Sequence, residues 1–267
     1  MKKWYNYSSM KDDFLKVAKQ AALEAGKIIS KYFGKKHQFK FKNEDKTDFA
    51  TQADFESEEK IVEILTKNFP NHNIIAEENA RINKNSEYTW VIDPLDGTIA
   101  FAAGLPFFSV SIGLLKDKKP ILGVINHVSA GDLYFAEESK GAYLNGEKIS
   151  VSKTSTLEKA GMGLDFGHRQ FRLNKITQFV TPIAGKVSYA YCFGSAVTTQ
   201  AFLGKGILDG YVNDAWLWDF VAGAVIIREA GGKVTDFKGN EPDWSKQRLS
   251  IVASNGLIHE QILEALR

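Results

Sequence analysis

The chain has 267 residues, enough for one large α/β body or two fused halves around a sizeable core, and too many for a disulfide-stapled mini-protein. Its composition, 44% hydrophobic, 25% charged and 12% aromatic, excludes disorder, collagen and coiled coil. With 34 Lys+Arg against 32 Asp+Glu, it lacks the charge footprint of a nucleic-acid binder, and no nucleic-acid partner is expected.

The first periodic segment places Phe14, Val17, Ala18, Ala21, Ala22, Ala25, Ile28, Ile29 and Tyr32 at helical spacing, predicting a long amphipathic helix over 12–33 that Gly34 ends. The basic run 35–46 interleaves Phe39 and Phe41 and reads as a solvated strand or loop. A second helix over 55–68 carries Ile61, Ile64 and Leu65 on one stripe and stops before Pro70. The period then changes to that of strands over 73–76, 89–92, 107–115, 121–128 and 133–136, with a Ser-Ala-Gly-Asp turn at 129–132. From about 153, helices over 193–203, 219–230 and 259–266 alternate with extended segments at 209–212, 232–235 and 250–253.

The chain is therefore expected to be α/β (α+β), with an N-terminal extension over 1–10, an α+β half over 11–150 and a second half over 151–267. No Pro/Ser-rich linker divides them, so they should pack as one body. The single Cys192 permits no internal disulfide and suits a small core residue beside Phe193. The N-terminus has no signal-peptide core, and no run reaches the length of a membrane span. A cytoplasmic protein without a membrane partner is the expectation.

The most informative segment is Trp90-Val91-Ile92-Asp93-Pro94-Leu95-Asp96-Gly97-Thr98. An apolar strand delivers Asp93 at its end, Pro94 bends the chain, and Asp96 follows, so both carboxylates can face one point. Gly97 allows close backbone approach, and the Gly97 and Thr98 amides could cradle an anion. Hard oxygen ligands of this kind favour Mg²⁺ holding a phosphate over zinc. Glu77 also sits at a strand end, after Ile74-Ile75-Ala76. Asp219 and Asp54 each fit a helix N-cap as well as a ligand role. The five histidines, His37, His72, His127, His168 and His259, share no motif.

Together, Trp90–Thr98 with Gly104-Leu105-Pro106, the upstream Ala76-Glu77-Glu78, and Trp218-Asp219-Phe220-Val221-Ala222-Gly223 leading to Glu229-Ala230-Gly231-Gly232 resemble the two signatures of the inositol monophosphatase family. The resemblance implies a layered α-β-α-β-α sandwich, Mg²⁺-dependent and lithium-sensitive hydrolysis of a small phosphorylated metabolite, and a homodimer. Carried over residue by residue, it places Glu77, Asp93 and the Leu95 carbonyl on one ion and Asp93, Asp96 and Asp219 on a second. A third, weaker ion would lean on Glu77. Thr98 paired with Asp54 would orient the attacking water, and the Gly97 and Thr98 amides would hold phosphate. Gly194, Ser195 and Ala196 would line the substrate pocket, with Lys42 or Lys46 facing the phosphate. Direct in-line transfer to water, without a phosphoenzyme, is expected.

The specificity positions depart from the family pattern. After Asp-Gly-Thr, relatives that prefer inositol phosphates read Asn-Phe and then a histidine, whereas this chain has Ala100-Phe101-Ala102-Ala103-Gly104. Its Gly104-x-Pro106 is closer to histidinol-phosphate and some sugar-bisphosphate phosphatases. Where the family carries a polyol-recognising Glu, this chain has Val212, in a segment one residue shorter with Asn213 and Asp214 nearby. Losing that acceptor would weaken polyol selection by about 1–3 kcal/mol unless a neighbour replaces it. Trp216, Trp218 and Phe220 either wall the pocket or pack. Inositol 1-phosphate leads as substrate, ahead of histidinol phosphate, a sugar bisphosphate or a 3′-nucleotide; a metal-binding scaffold without turnover is the non-enzyme alternative.

Overall fold

The computed structural model describes residues 7–267 apart from 37, 43 and 45, with side chains from residue 14 onward. His37 and residues 1–6 of the expected extension lie outside the described residues.

Helix α1 (Tyr7–Tyr32) starts earlier than its periodic stripe, and a hairpin of β1 (Phe39–Phe41) and β2 (Phe49–Thr51) leads into α2 (Gln52–Asn68). Next come β3 (Asn73–Ala76), β4 (Arg81–Ile82), β5 (Tyr88–Asp96) and the short α3 (Thr98–Ala102). A meander follows: β6 (Ser109–Lys116), β7 (Lys119–His127), β8 (Asp132–Glu137), β9 (Gly141–Leu144) and β10 (Glu147–Lys148). The rest comprises β11 (Gly161–Leu164), α4 (Arg169–Lys175) continuing through a π-helical stretch (Ile176–Val180) into α5 (Thr181–Ala184), and β12 (Tyr189–Tyr191). It closes with α6 (Ala196–Gly204), β13 (Gly210–Trp216), α7 (Leu217–Glu229), β14 (Lys233–Asp236), β15 (Arg248–Ser254) and α8 (His259–Ala265).

Eight strands form one sheet in the order β10-β9-β8-β7-β6-β5-β3-β4, and five form another in the order β12-β11-β13-β15-β14. The first sheet is antiparallel except where β3 runs parallel to β5. In the second, β11 runs parallel to both neighbours. Helices α1 and α2 cover the outer face of the large sheet, burying the stripe Ala18, Ala21, Ala22, Ala25 and Ile29 against Trp90, Ile112 and Val124. Alanines on this stripe let α2 and the sheet approach closely. Helices α6 and α7 lie between the sheets, and α5 and α8 cover the far side around Phe179, Val252 and Ile262. The result is the expected layering, helix, sheet, helix, sheet, helix.

Helix α7 explains how two sheets share a core. Its residues from Leu217 to Ile227 are buried except Asp219. An apolar surface on all sides is what a helix between two layers requires.

Candidate active site

Strand β5 does not stop at Ile92. It pairs in register with β6 to Asp93 opposite Ser111, and resumes with Asp96 opposite Ser109 after an irregularity. Side chains three apart on a regular strand point to opposite faces. Pro94 has no N–H for the ladder, and the bulge that absorbs it turns Asp93 and Asp96 into one cleft. Gly97 then takes φ 84°, and a Cβ there would stand 2.5 Å from the Phe107 carbonyl oxygen. Only glycine makes this corner without displacing the backbone.

Asp219 is not the N-cap of its helix. Helix α7 opens two residues earlier, and Asp219 reaches back to accept the Trp216 N–H at 2.7 Å. Asp54 is likewise not a cap: Thr51 caps α2, and Asp54 Oδ2 accepts the Thr51 N–H at 2.7 Å and its hydroxyl at 2.6 Å. In both cases a carboxylate three residues into the helix satisfies the cap backbone while its other oxygen stays available.

Ligand oxygens of Asp93, Asp96 and Asp219 all lie within 4.8 Å of one another. Burial, reinforced by the charges of Glu77, Asp96 and Asp219, pushes the Asp93 carboxyl well above the usual carboxylate range. Asp219 is likewise raised by burial and then by Asp96 and Glu77. Asp96 is pushed up to about 7, again chiefly by burial, although the Ser195 hydroxyl and Val197 amide oppose the shift. Among the described residues no cationic side chain hydrogen-bonds these three acids. A hard, all-oxygen donor set that cannot comfortably hold its own charge fits a divalent cation such as Mg²⁺.

Helix α2 holds the surrounding loops. Asp54 Oδ1 accepts the Thr98 hydroxyl at 3.0 Å, and the same hydroxyl lies 2.9 Å from the Leu95 carbonyl. Burial pushes Asp54 up to about 6. One turn on, the buried Glu58 accepts the N–H groups of Glu78, Asn79 and Ala80, each at 2.8 Å. That pins the turn carrying Glu77, which lines the cleft beside Asp93. Glu58 was not singled out from the sequence; its place four residues after Asp54, on the same helix face, was the available signal.

Of the two candidate lysines, Lys42 lines the cleft and bonds Glu77 at 2.7 Å and Glu78 at 2.6 Å. Lys46 instead sits over the Phe41 ring. Glu78 is pushed up to about 8, by burial and then the charge of Glu77, against the pull of Lys42.

The cleft occupies about 820 Å³ and extends from the acids to a wall built by α4, β13 and β15. Gly194 and Ala196 line it with Gly97 and Thr98. Ser195 caps α6 and is buried; its hydroxyl donates to Asp96, as do the Ala196 and Val197 amides at 3.1 Å each. Three donors thus fix the Asp96 carboxylate.

Several expectations need correction. Val212 is in the core rather than the cleft, and Asn213 faces the cleft instead. Asp214 is engaged by Arg248 and by the Ser250 hydroxyl at 2.6 Å. Cys192 is exposed on the cleft wall, not a core residue, because the chain leaves edge strand β12 there. Trp216 and Trp218 stack at 5.3 Å on the wall, whereas Phe220 faces the core between the sheets. Lys175, which also went unmarked in the sequence, lies on the wall almost wholly buried.

This geometry has close relatives. The inositol monophosphatase family matches residues 10–267. A protein of Aquifex aeolicus named fructose-1,6-bisphosphatase/inositol-1-monophosphatase is 34% identical over 95% of each chain. Inositol monophosphatase 3 of Solanum lycopersicum is 35% identical over 96% of this chain and 97% of its own. Among solved structures, the extragenic suppressor protein suhB of Bartonella henselae superimposes with a TM-score of 0.88 at 32% identity, covering 96% of this chain and 98% of its own. Inositol monophosphatase from Anabaena gives 0.83 at 34% identity, covering 96% and 95%. With sequence, layering and acid-lined cleft in agreement, the chain belongs to the inositol monophosphatase family.

Proposed function

We propose that this chain, a phosphoric monoester hydrolase of its family, hydrolyses a small phosphate monoester with Mg²⁺, by direct in-line transfer to water. The observation that carries the reading is the cluster of Asp93, Asp96 and Asp219, with oxygens within 4.8 Å at the base of an open cleft. Glu77, Asp93 and the Leu95 carbonyl would hold one ion, and Asp93, Asp96 and Asp219 a second. Bound there, divalent cations would offset the charge of the phosphate dianion and lower the pKa of a water.

The protein's own groups then do the following. Ser195 and the Ala196 and Val197 amides keep Asp96 from rotating. Thr98 has one hydroxyl hydrogen; donating it to Asp54 leaves lone pairs that can accept from a water and aim it at phosphorus. Asp54, held from behind by Thr51, is the acceptor that makes this orientation persist. Gly97 and Thr98 line the cleft, and their amides would hold the phosphate oxygens. No side chain need form a covalent phosphoryl intermediate.

Phosphate release from inositol 1-phosphate, histidinol phosphate, fructose 1,6-bisphosphate and a 3′-nucleotide, with Mg²⁺ and with chelator, tests the reading. Mg²⁺-dependent release is expected, with inositol 1-phosphate or a similar polyol phosphate as the leading substrate. No release from any of them, or release unaffected by chelation, would overturn it. Lithium inhibition, a homodimer and a cytoplasmic location complete the proposal; among the described residues no helix is long and apolar enough to cross a membrane.

A further inference from the structure

The Ser195 hydroxyl that donates to Asp96 is itself engaged by two hydroxyls that no step of the reaction uses. Ser195 Oγ lies 2.6 Å from Thr198 Oγ1, and Thr198 Oγ1 lies 2.8 Å from Ser109 Oγ. Ser109, Ser195 and Thr198 are each at most 1% exposed, so bulk water does not compete for these groups. Among the described residues the Thr198 hydroxyl has no partners but the two serines, and the Ser109 hydroxyl has none but Thr198.

A hydroxyl carries one hydrogen, and this decides the direction of the chain. As a cation ligand Asp96 is ionised and can only accept, so the Ser195 hydrogen goes to the carboxylate. Thr198 must then give its hydrogen to Ser195, and Ser109 gives its own to Thr198. Three hydroxyls thus donate in one direction, from β6 through α6 to the acid. Each polarises the next, which strengthens the last bond, the one made to the charge.

The local structure places Thr198 for this role. A threonine inside a helix can return its hydroxyl to the carbonyl four residues back. Thr199 does so, reaching the Ser195 carbonyl at 2.6 Å. Thr198, in the first turn of α6, turns instead to the capping side chain, whose oxygen also accepts its N–H at 3.1 Å. The far end is fixed as well, because Ser109 stands opposite Asp96 in the β5–β6 ladder. The chain of hydroxyls therefore leaves the backbone partner of Asp96 and returns to the Asp96 side chain by way of α6, tying the two halves of the molecule together at one carboxylate.

We propose that Thr198 and Ser109 are positioning residues for Asp96: their hydroxyls keep Ser195 turned onto the carboxylate and thereby set how tightly the acid cluster holds its divalent cation. This rests on the metal-dependent reading and adds two residues, neither of them lining the cleft, to its machinery.

The test is Mn²⁺ titration of the full chain by calorimetry. Thr198→Val keeps the branched shape, removes the hydroxyl, and should weaken Mn²⁺ binding at one site about 3- to 10-fold. Ser109→Ala, one link farther away, should weaken it less, and Thr198→Ser, which keeps the hydroxyl, should restore most of the affinity. The Mg²⁺ requirement for phosphate release should follow the same order. Thermal melting in chelator establishes that each variant is folded; a merely structural threonine would lower Tm and leave the isotherm unchanged. A folded Thr198→Val variant with wild-type Mn²⁺ affinity, or a Thr198→Ser variant no better than Thr198→Val, would overturn the proposal. If Thr198→Val does not fold, Ser109→Ala decides alone, and a wild-type isotherm rejects the relay. If the wild-type chain binds no Mn²⁺, the metal-dependent reading fails, and a crystal structure of Thr198→Val decides the positioning separately: Ser195 turned away from Asp96 sustains it, and Ser195 still directed at the carboxylate rejects it.

Discussion

Replacing Glu58 by Gln should loosen a metal ligand that Glu58 never touches. In the wild-type chain Oε1 accepts the Asn79 and Ala80 N–H groups and Oε2 accepts that of Glu78, each at 2.8 Å. A glutamine retains one acceptor oxygen, which can keep Asn79 and Ala80, but its amino group then faces the Glu78 N–H, donor against donor. One charge-assisted hydrogen bond disappears, worth about 1.5–3 kcal/mol, and the two that remain become neutral ones worth about 0.5–1.5 kcal/mol each. A net loss of about 3.5–6 kcal/mol follows, lowering Tm on the order of 10–20 °C for a chain of this size. The freed amide belongs to the peptide bond joining Glu77 to Glu78, so the backbone orienting the Glu77 carboxylate loses its anchor. Mn²⁺ titration by calorimetry should show at least one site weakened about 10-fold or more, alongside a raised Mg²⁺ requirement for phosphate release. A Tm decrease of the stated size with an unchanged Mn²⁺ isotherm would refute the link to Glu77.

Asp93→Asn should abolish turnover far more completely than Glu78→Gln, because Asp93 lies in the acid cluster whereas Glu78 is tied to Lys42; equal losses in phosphate release would contradict the assignment. Gly97→Ala should lower both Tm and activity, since its Cβ would strike the Phe107 carbonyl at a positive φ; normal melting and turnover would show that the corner tolerates a side chain. His259 is buried between Ser254 and Thr235, each 2.9 Å from a ring nitrogen, and burial lowers its pKa to about 4. A depressed histidine pKa favours the neutral folded form, so this stability is fully present above about pH 6.5 and is lost as pH falls toward 4. Denaturant unfolding across that window should be flatter in His259→Gln than in wild type; parallel curves would remove His259 as the cause.

The sequence disclosed what periodicity and local motif encode. The alanine stripe of α1, the strands of the meander and the acids around Pro94 were readable because each is written within about ten consecutive residues. The layering came from the family resemblance rather than from periodicity. The short strands β4, β9, β10 and β12 escaped because two to four residues carry too little pattern. The helix starts at Gln52 and Leu217 were misplaced for one reason: an aspartate at the third helical position resembles a cap until its backbone partner is known. Glu58 and Lys175 stayed hidden because their meaning depends on partners 20 and 38 residues away in sequence. No local pattern distinguishes a buried lysine from a solvated one.

Helix α7 brings Asp219 to the acids, and its seat is set far from them. At Gly123 on β7, an added Cβ would lie 2.2 Å from the Ala222 carbonyl oxygen, one turn beyond Asp219. To accommodate even an alanine, helix and sheet would have to part by about an ångström, a large step for carboxylates whose spacing is 4.8 Å or less. The map of positions that govern this cleft therefore does not coincide with its walls. Saturation mutagenesis should score the back of a strand as severely as the site, and a search for variants of altered selectivity should leave β7 untouched while exploring α4 and β13.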